Sequence, residues 1–378
     1  MPAFISLIGG SALALGASFS AQSIGRVITN IPAGALAEHL GHKRVIIAGG
    51  IGIAVFSTLS GLASNVPVFL IFRLFIGIFS ATTIVVANVV AAEISTVDNR
   101  GRVLGMMHGV QLVVGIASPG IGGIIAEFVG LRVPFYVSGI LVLVFAIWAV
   151  VRLPETRSER VPIGTDDPEE RPLGSRDGFR LLRDSSFFVA CVIGFSTFYL
   201  RGGATATLIP LFADEILLLS PAIIGVLFMG SSALHGFLVY PAGAMADRYG
   251  RKIVVVPAGL IVGVALVFLP MTSTIGTFCI AFFVLHFAQG WGGQAPVAYV
   301  ADLAPQGTRG VAIGLYRTAG DIAGFLGPLV STALVAISFE AAFWSGALIW
   351  TITIIAFACI AQETAGPRRK RGPVELRT

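Results

Sequence analysis

Charge is scarce in this sequence: Asp, Glu, Lys and Arg make up 12% of its 378 residues, about half the share found in an ordinary soluble domain. Lysine is nearly missing and occurs only as Lys43, Lys252 and Lys370. The residues that follow them are Arg, Ile and Arg, so there is no phosphate loop of the GxxxxGK[ST] kind, which disfavours an ATP-driven pump. No HExxH helix and no GxSxG elbow occurs, and the longest polar stretch is 153–185. An enzyme is therefore not expected, and no catalytic residue is assigned. Cysteine is as scarce. Cys191, Cys279 and Cys359 lie far apart inside apolar runs, with the spacing of neither a disulfide framework nor a metal site. No metal and no cofactor are expected.

What fills the space is apolar: 55% of the residues are hydrophobic and the mean hydropathy is +0.89. Glycine (46) and proline (19) are plentiful, as packed membrane helices tolerate. Several runs reach the roughly 20 residues that cross a bilayer as a helix. A soluble protein would need polar faces that these runs lack. The expectation is an all-α membrane protein with eleven complete spans. They lie near 13–36, 45–63, 68–92, 104–128, 133–152, 187–211, 222–245, 253–271, 275–300, 311–336 and 342–361, with residues 1–10 a short apolar remnant. This divides the chain into an N-terminal bundle (1–152), a polar linker (153–185), a C-terminal bundle (186–363) and a basic tail (364–378).

The basic residues fall on one side of these spans. Lys43, Arg44, Arg100, Arg102, seven arginines of the linker region, Arg248, Arg251, Lys252, Arg309 and five basic residues of the tail lie in alternate loops, and only Arg132 sits in a loop opposite. Positive charge is retained on the cytoplasmic face, which places the linker and the C-terminus there. The formal charge of +5 is thus a topology signal, and no nucleic-acid partner is expected. The partners expected are the bilayer and a small-molecule solute, with the chain a monomer in the plasma or inner membrane.

The two halves repeat each other. Pro32-Ala33-Gly34, Ala37, Gly41 and Lys43 recur 209 positions later as Pro241-Ala242-Gly243, Ala246, Gly250 and Lys252. The same shift carries Arg100-Gly101 onto Arg309-Gly310 and Pro119 onto Pro328, while Glu155-Thr156 matches Glu363-Thr364 at 208. Parallel repeats of this sort are a transporter design. Met1-Pro2-Ala3-Phe4 aligns with Ile209-Pro210-Leu211-Phe212, the end of the second half's first span. On this reading a first transmembrane helix is missing from the first half.

Two loops carry the most specific pattern. The second-half copy holds Gly243, Asp247, Arg248, Gly250, Arg251 and Lys252; the first-half copy holds Gly34, Glu38, Gly41, His42, Lys43 and Arg44. The first glycine lets two helices approach, the second permits a tight turn, and the acid can pair with the basic cluster or cap a helix. The plainer role, fixing topology by positive charge, needs neither the glycines nor the acids. Further on, Arg73-Leu-Phe-Ile-Gly77 lies within the span 68–92, and Gly115, Pro119, Gly122 and Gly123 punctuate the span 104–128.

These loops resemble the signature loop of the major facilitator superfamily. The segment from Arg73 resembles that family's fourth-helix motif, Gly115–Gly123 its fifth-helix "antiporter" motif, and Pro154-Glu155-Thr156 its usual close of the first half. Glu38, His42 and Ser118 depart from the pattern, where Asp, Arg and Gly are usual. The resemblance implies two pseudo-symmetric six-helix bundles, alternating access, and a gating role for Glu38, Asp247 and their basic neighbours. It also implies that Arg73 takes part in proton coupling.

Ionisable residues inside spans are costly and therefore informative. Arg26, Arg73, Arg201, Arg317 and Asp321 stand out. Asp321 is the one acid placed deep in a span and shares a helical face with Arg317. It is a coupling candidate, with a static pair to Arg317 or Arg201 as the alternative. Arg26, Arg201, Arg317, His235 and Gln289 are candidates to line a substrate cavity, and Arg201 precedes Gly202-Gly203, where a helix can bend. The function expected is secondary transport of a small organic solute, as proton-coupled export. Uptake or exchange of an anionic metabolite and a non-transporting receptor or remnant are the alternatives.

Overall fold

The computed structural model describes residues 1–93, 100–153, 181–293, 295–304 and 309–365, with the side chains of 30–39 and of some helical positions near 88–108 and 294–311 left outside the description. Most of the polar linker and the basic tail, with its arginines, also lie outside the described residues.

Every element among the described residues is helical. In the first half they are α1 (Pro2–Leu7), α2 (Ala12–Leu40), α3 (His42–Leu62), α4 (Val66–Glu93), α5 (Arg100–Phe128) and α6 (Val133–Arg152). In the second half α7 (Ser185–Leu200) runs through a π-helical segment (Arg201–Leu208) into α8 (Ile209–Glu215). Then follow α9 (Pro221–Tyr249), α10 (Arg251–Phe268), α11 (Ile275–Gly292), α12 (Ala295–Leu303), α13 (Arg309–Leu334) and α14 (Phe339–Ile360).

Short polar caps start several of these helices. Asp184 accepts a hydrogen bond from the Phe187 amide at 3.0 Å, and Ser338 accepts one from Ala341 at 3.0 Å. Thr274 and Thr277 form a reciprocal capping box at the start of α11. Each satisfies amides that a helix start leaves without intrahelical partners.

Among the described residues, nine helices are long and apolar enough to cross a membrane. Two expected spans, α2 and α13, fall short of that standard. The first carries Gln22, Arg26 and several serines, the second Arg317 and Asp321, and these polar groups lower the hydropathy of the whole window. The expected span 275–300 is two helices, α11 and α12, with Gly292 closing the first.

The chain divides into two compact units. One comprises Met1–Gly164 with Leu218–Met229, the other Thr165–Leu217 with Gly230–Thr378. In the first unit α2 packs along α4, and α3 packs between α4 and α6. The α2–α4 approach is backbone to backbone: a Cβ on Gly77 would meet the Gln22 carbonyl, and one on Gly25 would meet that of Leu74. In the second unit α13 packs on α7 and the π-helical segment, while α10 packs on α11 and α14.

Internal packing follows the repeat. In the first unit Phe4 of α1 lies 5.3 Å from Phe69 and 4.7 Å from Phe135, ring centre to ring centre. In the second, Phe212 of α8 lies 6.2 Å from Phe278 and 6.0 Å from Phe343. Phe69 and Phe278 are related by the 209-residue shift. Thus α1 holds in its unit the place that α8 holds in the other.

Candidate functional site

Three groups of side chains stand out, the first two each within one unit and the third present as one copy in each. The first surrounds the π-helical segment of the second unit. A π turn widens the helix by one residue and recurs at functional sites. Here its back is pinned by α13. A Cβ on Gly203 would meet Ser331 and the Gly327 backbone, and one on Gly202 would press on Pro328. The front presents Arg201 and Thr205. Arg201 is exposed midway along the continuous run Ser185–Glu215, where lipid contact with a guanidinium would be costly.

Polar groups from two other helices converge on this front. His235 of α9 lies within reach of the Arg201 charge and of buried His286. It packs over Gly290 and Gly293, where an added Cβ would come within 3.3 Å and 3.8 Å of it respectively. Gln289 donates a long hydrogen bond of 3.5 Å to Thr205, and His286 bonds the Phe282 carbonyl through Nδ1 at 2.8 Å. Of the expected cavity residues, Arg201, His235 and Gln289 therefore come together. Thr205 was missed by the sequence reading, although its spacing of four from Arg201 was a signal. Arg317 and Asp321 lie one turn apart on α13, the arginine exposed and the acid half-buried.

The second group is in the first unit. Arg26 of α2 donates to Ser23 at 2.9 Å. Arg73 of α4 lies near enough for the two like charges to act on one another. Its guanidinium sits 5.7 Å from the centre of the Phe19 ring and 5.9 Å from that of Phe69. Cation–π contact partly replaces the hydration that burial removes.

The third group is the signature loop. Gly41 and Gly250 each precede a helix with positive φ, 90° and 120°, a conformation that favours glycine. After Gly250, Arg251 pairs with Asp247 at 2.5 Å and with Asp302 of α12 at 3.2 Å. Lys252 donates to the carbonyls of Ala358 and Ala361, both at 2.7 Å, closing the end of α14. Buried Glu363 accepts from the amides of Arg251 (2.7 Å), Lys252 (3.0 Å) and Thr364 (3.1 Å). A carboxylate on the first amides of α10 satisfies them and meets the positive end of the helix dipole.

Asp302 and Glu363 were not among the residues singled out for this loop. The shift that relates Glu155 to Glu363, and Glu93 to Asp302 at 209, was the signal that could have found them. Arg248 stacks beside Tyr249 at 5.3 Å, and Gly243 faces open space. In the first-half copy His42 is buried, Lys43 half-buried and Arg44 exposed. Gly34 lies on α2, and the Glu38 side chain is outside the described residues.

Glu363→Ala should lower the thermal unfolding midpoint by about 2 °C or more, the effect of losing ~1 kcal/mol or more. Glu363→Gln, which keeps one acceptor, should fall between it and the parent. The check is scanning fluorimetry of the purified chain in lipid nanodiscs.

The fifth-helix motif is split in two. Gly123 and Pro119 of α5 cross the first turns of α9, Gly123 lying against Pro221 and Gly225, and Gly225 against the Pro119 carbonyl. Glu127 caps the same turns, accepting from the Ala222 amide at 2.8 Å. Gly115 and Gly122 have nothing within 4 Å of an added Cβ and take no part in this crossing.

Comparison with known proteins bears on the chain as a whole. The sequence profile of the Major Facilitator Superfamily matches residues 1–218 and 192–377. An uncharacterised MFS-type transporter of Methanocaldococcus jannaschii is 24% identical over 86% of this chain and 83% of its own. The quinolone resistance protein NorA of Staphylococcus aureus is 24% identical over 90% of this chain and 86% of its own. Among solved structures, the nucleoside transporter NupG, as its D323A mutant, superposes with a TM-score of 0.75 at 13% identity, covering 94% of this chain and 92% of that one.

Proposed function

The chain belongs to the Major Facilitator Superfamily, and from that premise we propose that it exports a small organic solute by alternating access, driven by a proton gradient and without a cofactor. It is a multi-span membrane transporter; we place its C-terminus in the cytoplasm and take the monomer as the working unit. The observation that carries proton coupling is Asp321, a half-buried acid in the interior of α13. A carboxyl group inside a span is a group through which a change of conformation can be coupled to uptake or release of a proton. We assign Arg73 to the same machinery, since its partly desolvated charge responds to any change at neighbouring Arg26. The likeness to a quinolone resistance protein and the packing of Pro119 and Gly123 against α9 support export.

A second reading, uptake or exchange of an anionic metabolite, is favoured by the exposed cation at Arg201. Flux in proteoliposomes under an imposed pH gradient separates the two. Lipophilic cations, neutral drugs and carboxylates are tested in turn. Accumulation of one class on the acidic side supports proton antiport; accumulation on the basic side supports symport. Flux indifferent to the gradient would overturn proton coupling.

A further inference from the structure

We propose that the face of the π-helical segment formed by Arg201, Thr205, His235 and Gln289 is a recognition site for an organic anion, with the solute's carboxylate on the Arg201 guanidinium. The inference rests on the transporter reading and names the solute class of that protein, whichever way the solute moves.

Arg201 sits midway along a 31-residue helical run, is exposed, and makes no ion pair among the described residues. A cation at that depth is stable only where water or an anion reaches it. The opposite side of the same segment is sealed against α13 by Gly202 and Gly203, so the arginine is held on the open side by packing. The groups around it are hydrogen-bonding ones. The Thr205 hydroxyl and the Gln289 amide are joined by a bond of 3.5 Å, long enough to be exchanged for a bond to a ligand at little cost. The imidazole of His235, half-buried beside Arg201, can donate or accept. A guanidinium presents a planar fork that matches a carboxylate, and the three neighbours supply hydrogen bonds to a hydroxyl or amide next to it. A cationic solute would meet repulsion from Arg201 with no carboxylate among these four residues to offset it.

The test is equilibrium dialysis of the full chain in nanodiscs against three probes of similar aromatic character: salicylate, its neutral amide salicylamide, and tetraphenylphosphonium. Salicylate should bind most tightly. Arg201→Gln should weaken it about tenfold, as expected when a hydrogen-bonded charge contact is lost, and Arg201→Lys should restore part of the loss. Salicylamide should bind equally to all three proteins. Thr205→Val, which leaves the charge in place, should weaken salicylate less than Arg201→Gln does. Absence of salicylate binding to the unmodified chain would overturn the assignment. So would equal affinity for salicylate and salicylamide, or a salicylate affinity unchanged by Arg201→Gln in a protein with unaltered melting. Arg201-dependent binding without gradient-driven flux would instead overturn proton coupling and leave this site standing. Gradient-driven flux of the cation alone would do the reverse.

Discussion

Asp321→Asn is expected to reduce solute flux that follows an imposed pH gradient to the level of empty vesicles. Asparagine matches the size of the acid and retains its hydrogen-bonding oxygen but cannot take up or release a proton. The side chain is half-buried on α13, one turn from exposed Arg317, in a helix that packs on α7 and the π-helical segment. On the proposed mechanism, a carboxylate there alternates between a charged form held by a partner or water and a neutral form that needs neither. Transport coupled to that alternation stops when the alternation is removed. Exchange of labelled for unlabelled solute, with no gradient imposed, should persist in the same variant, because binding and rocking need no net proton movement. Loss of both would mean that Asp321 holds the bundle together, and survival of gradient-driven flux would make the acid a static partner.

Gly77→Val is expected to be the most damaging substitution in the first unit. The added Cβ would overlap the backbone carbonyl of Gln22, and a backbone atom cannot rotate away as a side-chain tip can. The helices α2 and α4 would have to separate along their length. Lipid offers no hydrophobic force to hold them, since close packing is what joins membrane helices. Overpacking of this kind costs about 1–3 kcal/mol or more. The separation would also disturb Arg73, one turn away, and its rings Phe19 and Phe69. Gly122→Val is the control. Nothing lies within 4 Å of a Cβ at Gly122, so the unfolding midpoint of that variant should match the parent while Gly77→Val falls several degrees. Equal melting of the two would show that the α2–α4 crossing is looser than drawn.

Much of the architecture was written locally along the chain. The reading of residues 133–152 as a span coincides with α6, and that of 342–361 lies within three residues of α14 at its start. The positive-φ turns at Gly41 and Gly250 stand at the positions where the two signature loops required glycine. The break between α11 and α12 was hidden, because Gly292 and Gly293 leave the apolar run around them intact. The widening of the helix at Arg201–Leu208 was only half visible: the glycine pair marked a weak point, while the π geometry shows only in the structure, where Gly202 and Gly203 lie against α13.

The sequence by itself determined the all-helical class, the approximate extent of most apolar runs and the family. Each of these depends on composition within a window or on matching of one window to another. Only the tertiary structure decided which residues meet. It joined Arg201 and Thr205 to His235 and Gln289, brought Glu363 onto the first amides of α10, and put Gly123 rather than Gly122 against α9. The physical reason lies in the solvent. A helix at a water boundary announces its buried face by alternating polar and apolar residues, but lipid and protein interior are equally apolar. The rotation of each helix about its axis is then set by small residues and side-chain fit, which can be read only after the helices are packed.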